Sequence, residues 1–474
     1  MATPGPDVLV ALDARDPTAF DWSLTVLATL GGFLFGYDTA NIGSVLDFLP
    51  FHLGTWALGY LVAGASIGAA VGALAAGPLT DRFGRKSLLV ADAAIYAAGA
   101  LLSAFTVSAA MLLVSRTLIG LAIGADSAIA TAYIAEYAPA ARRGALSMLQ
   151  QWMITVGILV SYLVALGILK LVPGAAYGYD WRLILGLGAL PALVALALRT
   201  RMPESPRWLL RAGRYDKLGE TLRMLGIEAT LAQIRQSAAR LHAWEQRTLA
   251  QHASVWTPGV RRALLVVVVF FIFQQITGIN VPLYYGPRLL SSLLPASSSP
   301  LEAAMGGIEM TSLVTAVNVA ATYLGFRYID RIGRRRLAMG GYAGMALFML
   351  VAAIGLGLLA GPARIIVGTL GLGLFIASFA VGVGGTGWLL QGEVFPTAVR
   401  GRAAAIGATA DWLANFAVIE LFPVSAAGIG LEWVMVCFAA LSVLAIVFIA
   451  RWLPETKGLS VDEITDLFAR KARG

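Results

Sequence analysis

Acidic and basic side chains stand inside apolar stretches of the sequence, where a charge is costly unless it is paired. Asp38 lies in GGFLFGYDTANIGSVL, and Arg116 lies in a later apolar run. At 1.5 Å per residue, Asp38 is ~21 Å into a span that begins near Leu24. Arg116 is ~10 Å into a span that enters from the opposite surface near Ala109. In a ~30 Å hydrocarbon core both lie at similar depth, so we expect a salt bridge.

A salt bridge of this kind can act as a proton switch. Asp38 stays ionised while Arg116 is near, and burial without this partner favours the protonated acid. Proton binding is then linked to the conformation that separates the two side chains. The alternative is a static structural ion pair. Asp126, ten residues after Arg116, is either a second protonation site or a buried acid paired with a neighbouring helix.

Amide side chains form a second candidate site. The stretch FQQITGIN holds Gln274, Gln275 and Asn280, and Gln274 and Gln275 cannot both face the same direction. Amides donate and accept hydrogen bonds, which suits sugar hydroxyls, and an aromatic ring covers the apolar face of a pyranose. The pattern favours a neutral polyol over an ion; the alternative is polar contact between helices. Other candidates in apolar spans are Gln151, Asn318, Trp388, Asp411, Trp412 and Asn415.

Charged motifs in the loops occur twice. The stretch from Asp81 to Lys86, DRFGRK, recurs as DRIGRR from Asp330, an offset of 330 − 81 = 249. The stretch EYAPAARRG from Glu136 recurs as EVFPTAVRG from Glu393, an offset of 393 − 136 = 257. Repeats at nearly one offset indicate a duplicated six-helix unit. Two such halves with a site between them at mid-membrane are typical of transporters.

Opposite charges in these motifs sit where adjoining helices end. We expect them to pair across helices, to tie the two halves together when one side of the molecule is closed, and to separate when that side opens. The alternative is simple anchoring of helix ends at the lipid headgroups. The predicted network comprises Asp81, Arg82, Arg85, Glu136, Arg143, Glu204, Asp330, Arg331, Arg334, Arg335, Glu393, Arg400 and Glu455.

The elements that must position these residues are membrane helices. Of 474 residues, 58% are hydrophobic and only 13% are charged, whereas about a quarter are charged in soluble proteins. Apolar runs long enough to cross a bilayer as helices occur at 24–46, 57–79, 87–106, 109–132, 146–170, 182–199, 260–290, 306–328, 337–359, 364–390, 402–425 and 430–452. The predicted fold is an all-α membrane protein with twelve transmembrane helices in two pseudo-symmetric halves.

The chain divides accordingly. We predict an N-terminal segment (1–23), a six-helix bundle (24–199), a linker of short helices lying on the membrane face (200–259), a second bundle (260–453) and a tail (454–474). Basic residues cluster at every second loop, which places the linker and both termini in the cytoplasm. Charge spread over short loops argues against nucleic-acid binding.

Metal, cofactor and disulfide chemistry are not indicated. Cys437 is the only cysteine, so no intramolecular disulfide is possible, and the three histidines lack metal-ligand spacing. No nucleophile–base constellation suggests an enzyme.

The motifs together resemble the sugar porter family of the major facilitator superfamily. The similarity runs from GGFLFGYD to PETKGLS and includes DRFGRK, YIAEYAPAARRG, PESPRWLL, QQITGIN, YIDRIGRR and GEVFPTAVRG. The resemblance implies that Asp38 couples transport to protons, because facilitative members commonly carry Asn there. It implies sugar contacts at Gln151, Gln274, Gln275, Asn280, Asn318 and Trp388, space at Gly384, and an outer gate at Tyr284 and Tyr285.

Three positions depart from the family pattern. Asp411 stands where a neutral polar residue is usual, and it can accept two sugar hydroxyls or select a positively charged substrate. Asn415, four residues on, shares its helical face. Asp126 replaces a small neutral residue, and the proline usual before Trp388 is missing.

The predicted function is secondary active transport of a monosaccharide or related polyol by alternating access, in symport with a proton. The alternatives are a facilitative sugar uniporter and a proton-coupled transporter of another small solute, such as an inorganic or organic ion. A sensor with the transporter fold is a further class, but only a short segment follows Pro454. We expect a monomer in the cell membrane whose partners are the solute, the proton and the lipid bilayer.

Overall fold

Helices account for nearly all of the regular structure. The computed structural model describes residues 7–51, 53–139, 143–173, 176–251, 258–294, 299–395, 397–457 and parts of the tail up to Arg470. Its helices are α1 Val8–Ala14, α2 Ala19–Val45, α3 Thr55–Phe83, α4 Arg85–Ala104, α5 Ala109–Tyr137, α6 Arg143–Leu171, a π-helical stretch Ala176–Asp180, α7 Trp181–Gly186, α8 Ala189–Arg199, α9 Pro206–Arg211, α10 Tyr215–Met224, α11 Leu231–Gln251, α12 Pro258–Ile276, α13 Asn280–Tyr284, α14 Gly286–Ser291, α15 Pro300–Ile332, α16 Arg334–Leu358, α17 Gly361–Gly382, α18 Gly384–Glu393, α19 Thr397–Ile429 and α20 Leu431–Trp452.

Twelve spans within these described segments are long and apolar enough to cross a membrane, and each overlaps a predicted span. The first five are α2 to α6, and the sixth runs from the π-helical stretch through α7 and α8. The seventh, eighth and ninth are α12, α15 and α16, the tenth joins α17 and α18, and the last two are α19 and α20. The twelve-helix prediction is therefore confirmed.

The sixth span, predicted over 182–199, divides between α7 and α8, and two spans of the C-terminal half that were predicted as continuous helices are also interrupted. The seventh was predicted over 260–290, but α12 ends at Ile276 and Gly278 adopts φ +85° before α13 begins. A Cβ on Gly278 would lie 2.5 Å from the Phe438 ring, so both the backbone angle and the close packing require glycine. The tenth is likewise divided at Val383, between α17 and α18. Hydropathy continues through both breaks, so a count of apolar residues does not reveal them.

The second and fourth spans approach each other through glycine. Gly68 and Gly72 on α3 face the α5 backbone, and Gly120 and Gly124 on α5 face the α3 backbone. A Cβ on any of the four would lie 1.9–2.2 Å from a carbonyl oxygen of the partner helix. Small residues four apart allow this close helix packing in membranes. The packing holds α5, which carries Arg116, closely against α3.

Short helices cover one face of the molecule, called here the linker face after α9, α10 and α11; the opposite side is the far face. Leu209, Leu218, Leu222 and Ile234 form a buried cluster among these helices. The N-terminal helix α1 packs on the same cluster through Val8, whose backbone N–H donates to Ser237 Oγ at 3.1 Å. The Trp208 indole anchors the layer by donating to the Asp81 carbonyl at 3.0 Å.

Candidate functional site

A buried ion pair joins the first and fourth spans. Arg116 Nη1 donates to Asp38 Oδ1, and both side chains are 1% exposed. Arg116 Nε also donates to the Leu61 carbonyl at 3.2 Å, which fixes the guanidinium against α3. Asp38 Oδ2 and Arg116 Nη2 find no hydrogen-bond partner among the described residues. The ion pair expected from the similar depths of Asp38 and Arg116 is therefore present, and Asp38 Oδ2 remains without a hydrogen-bond donor among the described residues.

A chain of side-chain hydrogen bonds crosses from one half of the molecule to the other. Gln275 Nε2 donates to Asp411 Oδ1 at 2.7 Å, and Asn280 Nδ2 donates to Gln275 Oε1 at 2.7 Å. Asn280 Nδ2 also donates to Asn415 Oδ1 at 3.0 Å, and Asn415 Nδ2 donates to Ser66 Oγ at 3.0 Å. All but Ser66 are predicted substrate contacts, so the structure brings these four together. Ser66 was missed because a lone serine in a small-residue helix carries no signal.

The two glutamines of QQITGIN point in different directions, as their adjacency requires. Gln274 Nε2 donates to the Gly384 carbonyl at 3.3 Å, at the break between α17 and α18. A Cβ on Gly384 would lie 3.6 Å from Gln151 Nε2 and 2.9 Å from the Phe379 ring. The absence of a side chain at Gly384 thus leaves space beside Gln151, on the fifth span.

Two tryptophans of the C-terminal half pack beside this chain. The Trp388 ring centroid is 5.1 Å from that of Phe271, and the Trp412 centroid is 5.0 Å from that of Phe35 on the first span. Trp412 is buried, and its indole N–H has no hydrogen-bond acceptor among the described residues. The aromatic contact between Trp412 and Phe35 joins the two halves close to Asp38. Phe35 was not among the predicted site residues.

Asn318 stands apart from the hydrogen-bonded chain. It is buried on the eighth span, and its described hydrogen bonds are with Thr322, one turn on, at 2.8 and 3.4 Å. The structure does not bring Asn318 into contact with the other predicted amides. Its role in substrate binding stays a prediction.

The two adjacent tyrosines lie between the halves and are buried. Tyr284 interacts with Thr39 on the first span and with Asn415, so it touches both the ion-pair helix and the amide chain. Tyr285 donates its hydroxyl to the Ile419 carbonyl at 3.2 Å and packs on Phe422. The position of Tyr284 is compatible with gating, and the gating role itself stays a prediction.

The predicted charge network on the linker face is built inside each half. In the N-terminal half, Arg85 Nη2 pairs with Glu136 at 2.8 Å and Arg85 Nη1 with Asp81 at 3.4 Å. The Glu204 carboxylate accepts from the backbone N–H groups of Arg85 and Lys86 at 2.9 and 3.1 Å. An anion there complements the exposed N–H groups and dipole at the start of α4. Gly84, with φ +92°, admits this carboxylate, because a Cβ would lie 2.2 Å from it.

The C-terminal half repeats the arrangement. Arg334 Nη2 pairs with Glu393 Oε1 at 2.7 Å, and Glu455 accepts from the backbone N–H groups of Arg334 and Arg335 at 2.9 and 3.2 Å. The expected ties between the halves are not among these contacts, because each described pair joins residues of the same half. Arg82 and Arg331 are exposed, and the side chains of Arg143, Asp330 and Arg400 lie outside the described residues.

A second buried charge cluster lies in the N-terminal half. Arg199, at the end of the sixth span, pairs with Asp92 on the third span and Asp126 on the fourth, each at 2.6 Å. Of the two alternatives for Asp126, the structure shows it paired with a neighbouring helix. Arg199 and Asp92 were missed. Arg199 merges in the sequence with the basic linker that follows it, so its burial could not be read from composition.

Known proteins resemble this chain over nearly its full length. A family model described as "Sugar (and other) transporter" matches residues 24–468. The arabinose-proton symporter of Bacillus subtilis (strain 168) is 32% identical over 457 residues, covering 94% of this chain and 95% of that protein. The glucose transporter GlcP of Staphylococcus epidermidis (strain ATCC 12228 / FDA PCI 1200) is 32% identical, with 93% and 95% covered.

Solved structures agree with the sequence matches. The proton:xylose symporter XylE from E. coli, bound to 6-bromo-6-deoxy-D-glucose, superposes with a TM-score of 0.79 at 30% sequence identity. That match covers 95% of this chain and 99% of the XylE chain. These are transporters, and none of the observations above points to an enzyme. The chain belongs to the sugar transporter family and has the twelve-helix fold of the major facilitator superfamily.

Proposed function

We propose that this protein moves a monosaccharide or related polyol across the membrane by alternating access, in symport with a proton. The single observation that carries the proposal is the buried Asp38–Arg116 pair beside an amide chain that crosses between the halves. Tyr284 interacts with residues of both sites. Similarity to an arabinose-proton symporter and a proton:xylose symporter supports the same substrate classes.

The ion pair supplies the proton switch. While Arg116 contacts Asp38, the carboxylate is compensated and has no need of a proton. A movement of α5 against α2 that separates them would leave a charge buried without a partner, and protonation is the least costly way to neutralise it. The proton therefore binds in one conformation and leaves in the other, and this alternation couples proton movement to the conformational change.

The amide chain supplies the sugar site. In this conformation the amides satisfy each other, with Asn280 bonded to both Gln275 and Asn415. A polyol that enters can replace these bonds with its own hydroxyls, which both donate and accept. Because the chain links Asn415 to Ser66 of the other half, such replacement alters the contact between halves. Substrate binding and conformational change thus share the same groups.

Asp411 distinguishes this site from a purely amide pocket. Its carboxylate is buried and accepts from Gln275. A carboxylate accepts two hydroxyls and donates none when ionised, so it suits adjacent hydroxyls of a polyol. It also suits a cationic solute, which is the second candidate substrate class. Uptake measured with a panel of neutral and cationic solutes distinguishes these two substrate classes.

The charge pattern supports a placement in the cell membrane with the linker face and both termini in the cytoplasm. The site and the proton switch lie within one chain, which supports function as a monomer.

The test is uptake into proteoliposomes of purified protein, with labelled pentoses, hexoses, inositols and a cationic amino sugar, with and without an imposed pH gradient. We expect accumulation of at least one neutral sugar or polyol above equilibrium only when the gradient is present. Equilibration without accumulation would indicate a uniporter. A preference for the cationic solute, with no competition by neutral sugars, would overturn the substrate class.

A further inference from the structure

The cluster of Asp92, Asp126 and Arg199 differs from the Asp38–Arg116 pair in its charge balance, because it holds two acidic groups and one basic group. Two carboxylates share a single guanidinium, and all three side chains are at most 5% exposed. The remaining hydrogen bonds of Arg199 go to backbone carbonyls, of Leu89 at 2.9 Å, Ala28 at 2.9 Å and Leu27 at 3.4 Å. With both acids ionised, the buried cluster would carry one uncompensated negative charge, which is costly in a membrane interior.

The two carboxyl groups lie next to each other, because both bind the same guanidinium, and they interact directly. Asp92 Oδ2 accepts no hydrogen bond from the described residues. Two adjacent carboxylates can bond to each other only if one of them carries a proton. A single proton shared between them would give Asp92 Oδ2 a hydrogen bond and would also cancel the excess negative charge of the cluster.

No other described group packed against the cluster can cancel that charge. The fifth span contributes Gln150, whose uncharged amide donates to Asp126 Oδ2 at 3.3 Å. The first span contributes Gly31, whose Cβ would fall 1.9–2.1 Å from the Asp126 carboxylate. The third span adds Tyr96, whose hydroxyl donates to the Leu34 carbonyl at 2.9 Å. Arg199 on the sixth span is the cation of the cluster.

The cluster lies at a depth between Asp38 and the linker face. Gly31 precedes Asp38 by seven residues on α2, so the cluster is ~10 Å nearer the linker face by helix rise. A cavity of about 10 Å³ touches all three charged residues and Tyr96, and this is about the smallest space that holds one water. Tyr96 lies within electrostatic range of Asp38 and Arg116. Tyr96 is therefore a side chain that lines the cavity of one charge cluster and interacts electrostatically with the other.

From these contacts we propose that Asp92 and Asp126 share one proton beside Arg199, and that this second proton site relays protons between Asp38 and the linker face. The shared proton leaves toward the linker face and gives the cluster a net negative charge. That negative charge favours transfer of the proton from the Asp38 carboxyl to the cluster, which restores the neutral cluster and frees Asp38 to pair with Arg116. The relay rests on the proposed proton coupling, whereas the shared proton does not.

Infrared difference spectroscopy of the purified protein tests the shared proton directly. The C=O stretch of protonated carboxyl groups is compared between wild type and the variants Asp92→Asn and Asp126→Asn at neutral pH. Each substitution leaves one acid for one arginine, so each should remove the signal of one protonated carboxyl. Arg199→Gln should instead add one, because both acids then lack a cation. Arg199→Lys keeps the charge balance and should retain the wild-type signal.

The infrared measurement can either support or overturn the proton shared by Asp92 and Asp126. Any contribution of Asp411 is common to all variants and cancels in the differences. Asp216→Asn, an exposed position on α10, serves as the matched control and should change nothing. An unchanged protonated-carboxyl signal in both Asp92→Asn and Asp126→Asn, in protein that elutes and melts like wild type, would overturn the proposal.

Transport tests the relay separately. In proteoliposomes, Asp92→Asn and Asp126→Asn should slow pH-gradient-driven sugar accumulation about 10-fold or more, as loss of a positioned proton-transfer group does. Counterflow exchange of sugar at equal pH, which needs no net proton release, should stay within about twofold of wild type. Loss of the infrared signal with unaltered gradient-driven uptake would show a static proton and overturn the relay. If wild type itself shows no gradient-driven uptake, the proposed function fails while the spectroscopic result stands.

Discussion

The buried carboxylates Asp38, Asp126 and Asp411 have different surroundings, which suit them to different proposed roles. Asp38 has a guanidinium to itself, Asp126 shares one with Asp92, and Asp411 accepts from the neutral amide of Gln275. A carboxylate matched to one cation switches when that cation moves. A carboxylate held among neutral donors is instead suited to accepting hydrogen bonds from a substrate.

Asp411→Asn tests the assignment of Asp411 to substrate binding. The amide keeps the volume and still offers an oxygen to Gln275, but it is a weaker acceptor for sugar hydroxyls. Loss of one charged hydrogen bond corresponds to about 1.5–3 kcal/mol, or roughly a 10- to 100-fold rise in KM measured in counterflow. Leu413→Ala, two residues away on the exposed side of α19, is the control. Unaltered KM together with lost pH dependence would instead make Asp411 a proton site.

At the scale of helices, the N-terminal half is rigid where the glycines of α3 and α5 meet, and the C-terminal half is adaptable where its spans are broken. The α3–α5 contact brings backbones together at Gly68, Gly72, Gly120 and Gly124. The breaks after Ile276 and at Val383 lie in the other half, next to the Gln274–Gly384 hydrogen bond. Movement of the seventh and tenth spans against the fixed α3–α5 pair is the motion that this arrangement favours.

Gly120→Ala should destabilise the protein. The new Cβ would lie 1.9 Å from the Ala65 carbonyl oxygen, so α3 and α5 must separate. Overpacking of this kind costs about 1–3 kcal/mol and should lower the apparent melting temperature in detergent by several degrees. Gly167→Ala on the fifth span, where nothing lies within 4 Å of the added Cβ, is the matched control. Equal melting temperatures for the two variants would show that the close packing is not stabilising.

Depth along a helix could be predicted from the sequence, but rotation about its axis could not. The constant rise of an α-helix was enough to pair Asp38 with Arg116 across two spans of opposite direction. The contact of Gln275 with Asp411, and the separation of Asn318 from both, depend on which way each helix faces. Arg199 was missed for a related reason, because a charge at the end of a span looks the same in sequence whether it faces lipid headgroups or the bundle.

At the scale of the whole molecule, two described ion pairs join the halves on the far face. Arg288 Nε pairs with Asp47 Oδ1 at 2.6 Å, and Lys170 pairs with Glu309. Both pairs are partly exposed, so each contributes about 1 kcal/mol or less. Pairs of this strength suit a molecule that must open, because they bias the equilibrium between conformations without locking it.

Removal of both ion pairs should increase the fraction of molecules in which the far face is open. In a Cys437→Ala background, a reporter Ser66→Cys in the amide chain is labelled with a thiol reagent added from the far face. The double variant Asp47→Asn, Lys170→Gln should be labelled about two- to tenfold faster. Arg207→Gln, which breaks the exposed pair with Asp13 on the linker face, is the control and should leave the rate unchanged. A rate that is equal or slower in the double variant would refute the role of these ties.

The most direct test of proton coupling is the behaviour of Asp38→Asn in two transport assays on the same proteoliposomes. Asn keeps the shape of the side chain and removes the proton site, so the substrate chain from Asp411 to Ser66 is untouched. We predict that sugar accumulation driven by an imposed pH gradient falls to the level without a gradient, while counterflow exchange persists. Gradient-driven accumulation by Asp38→Asn equal to that of wild type would contradict the account.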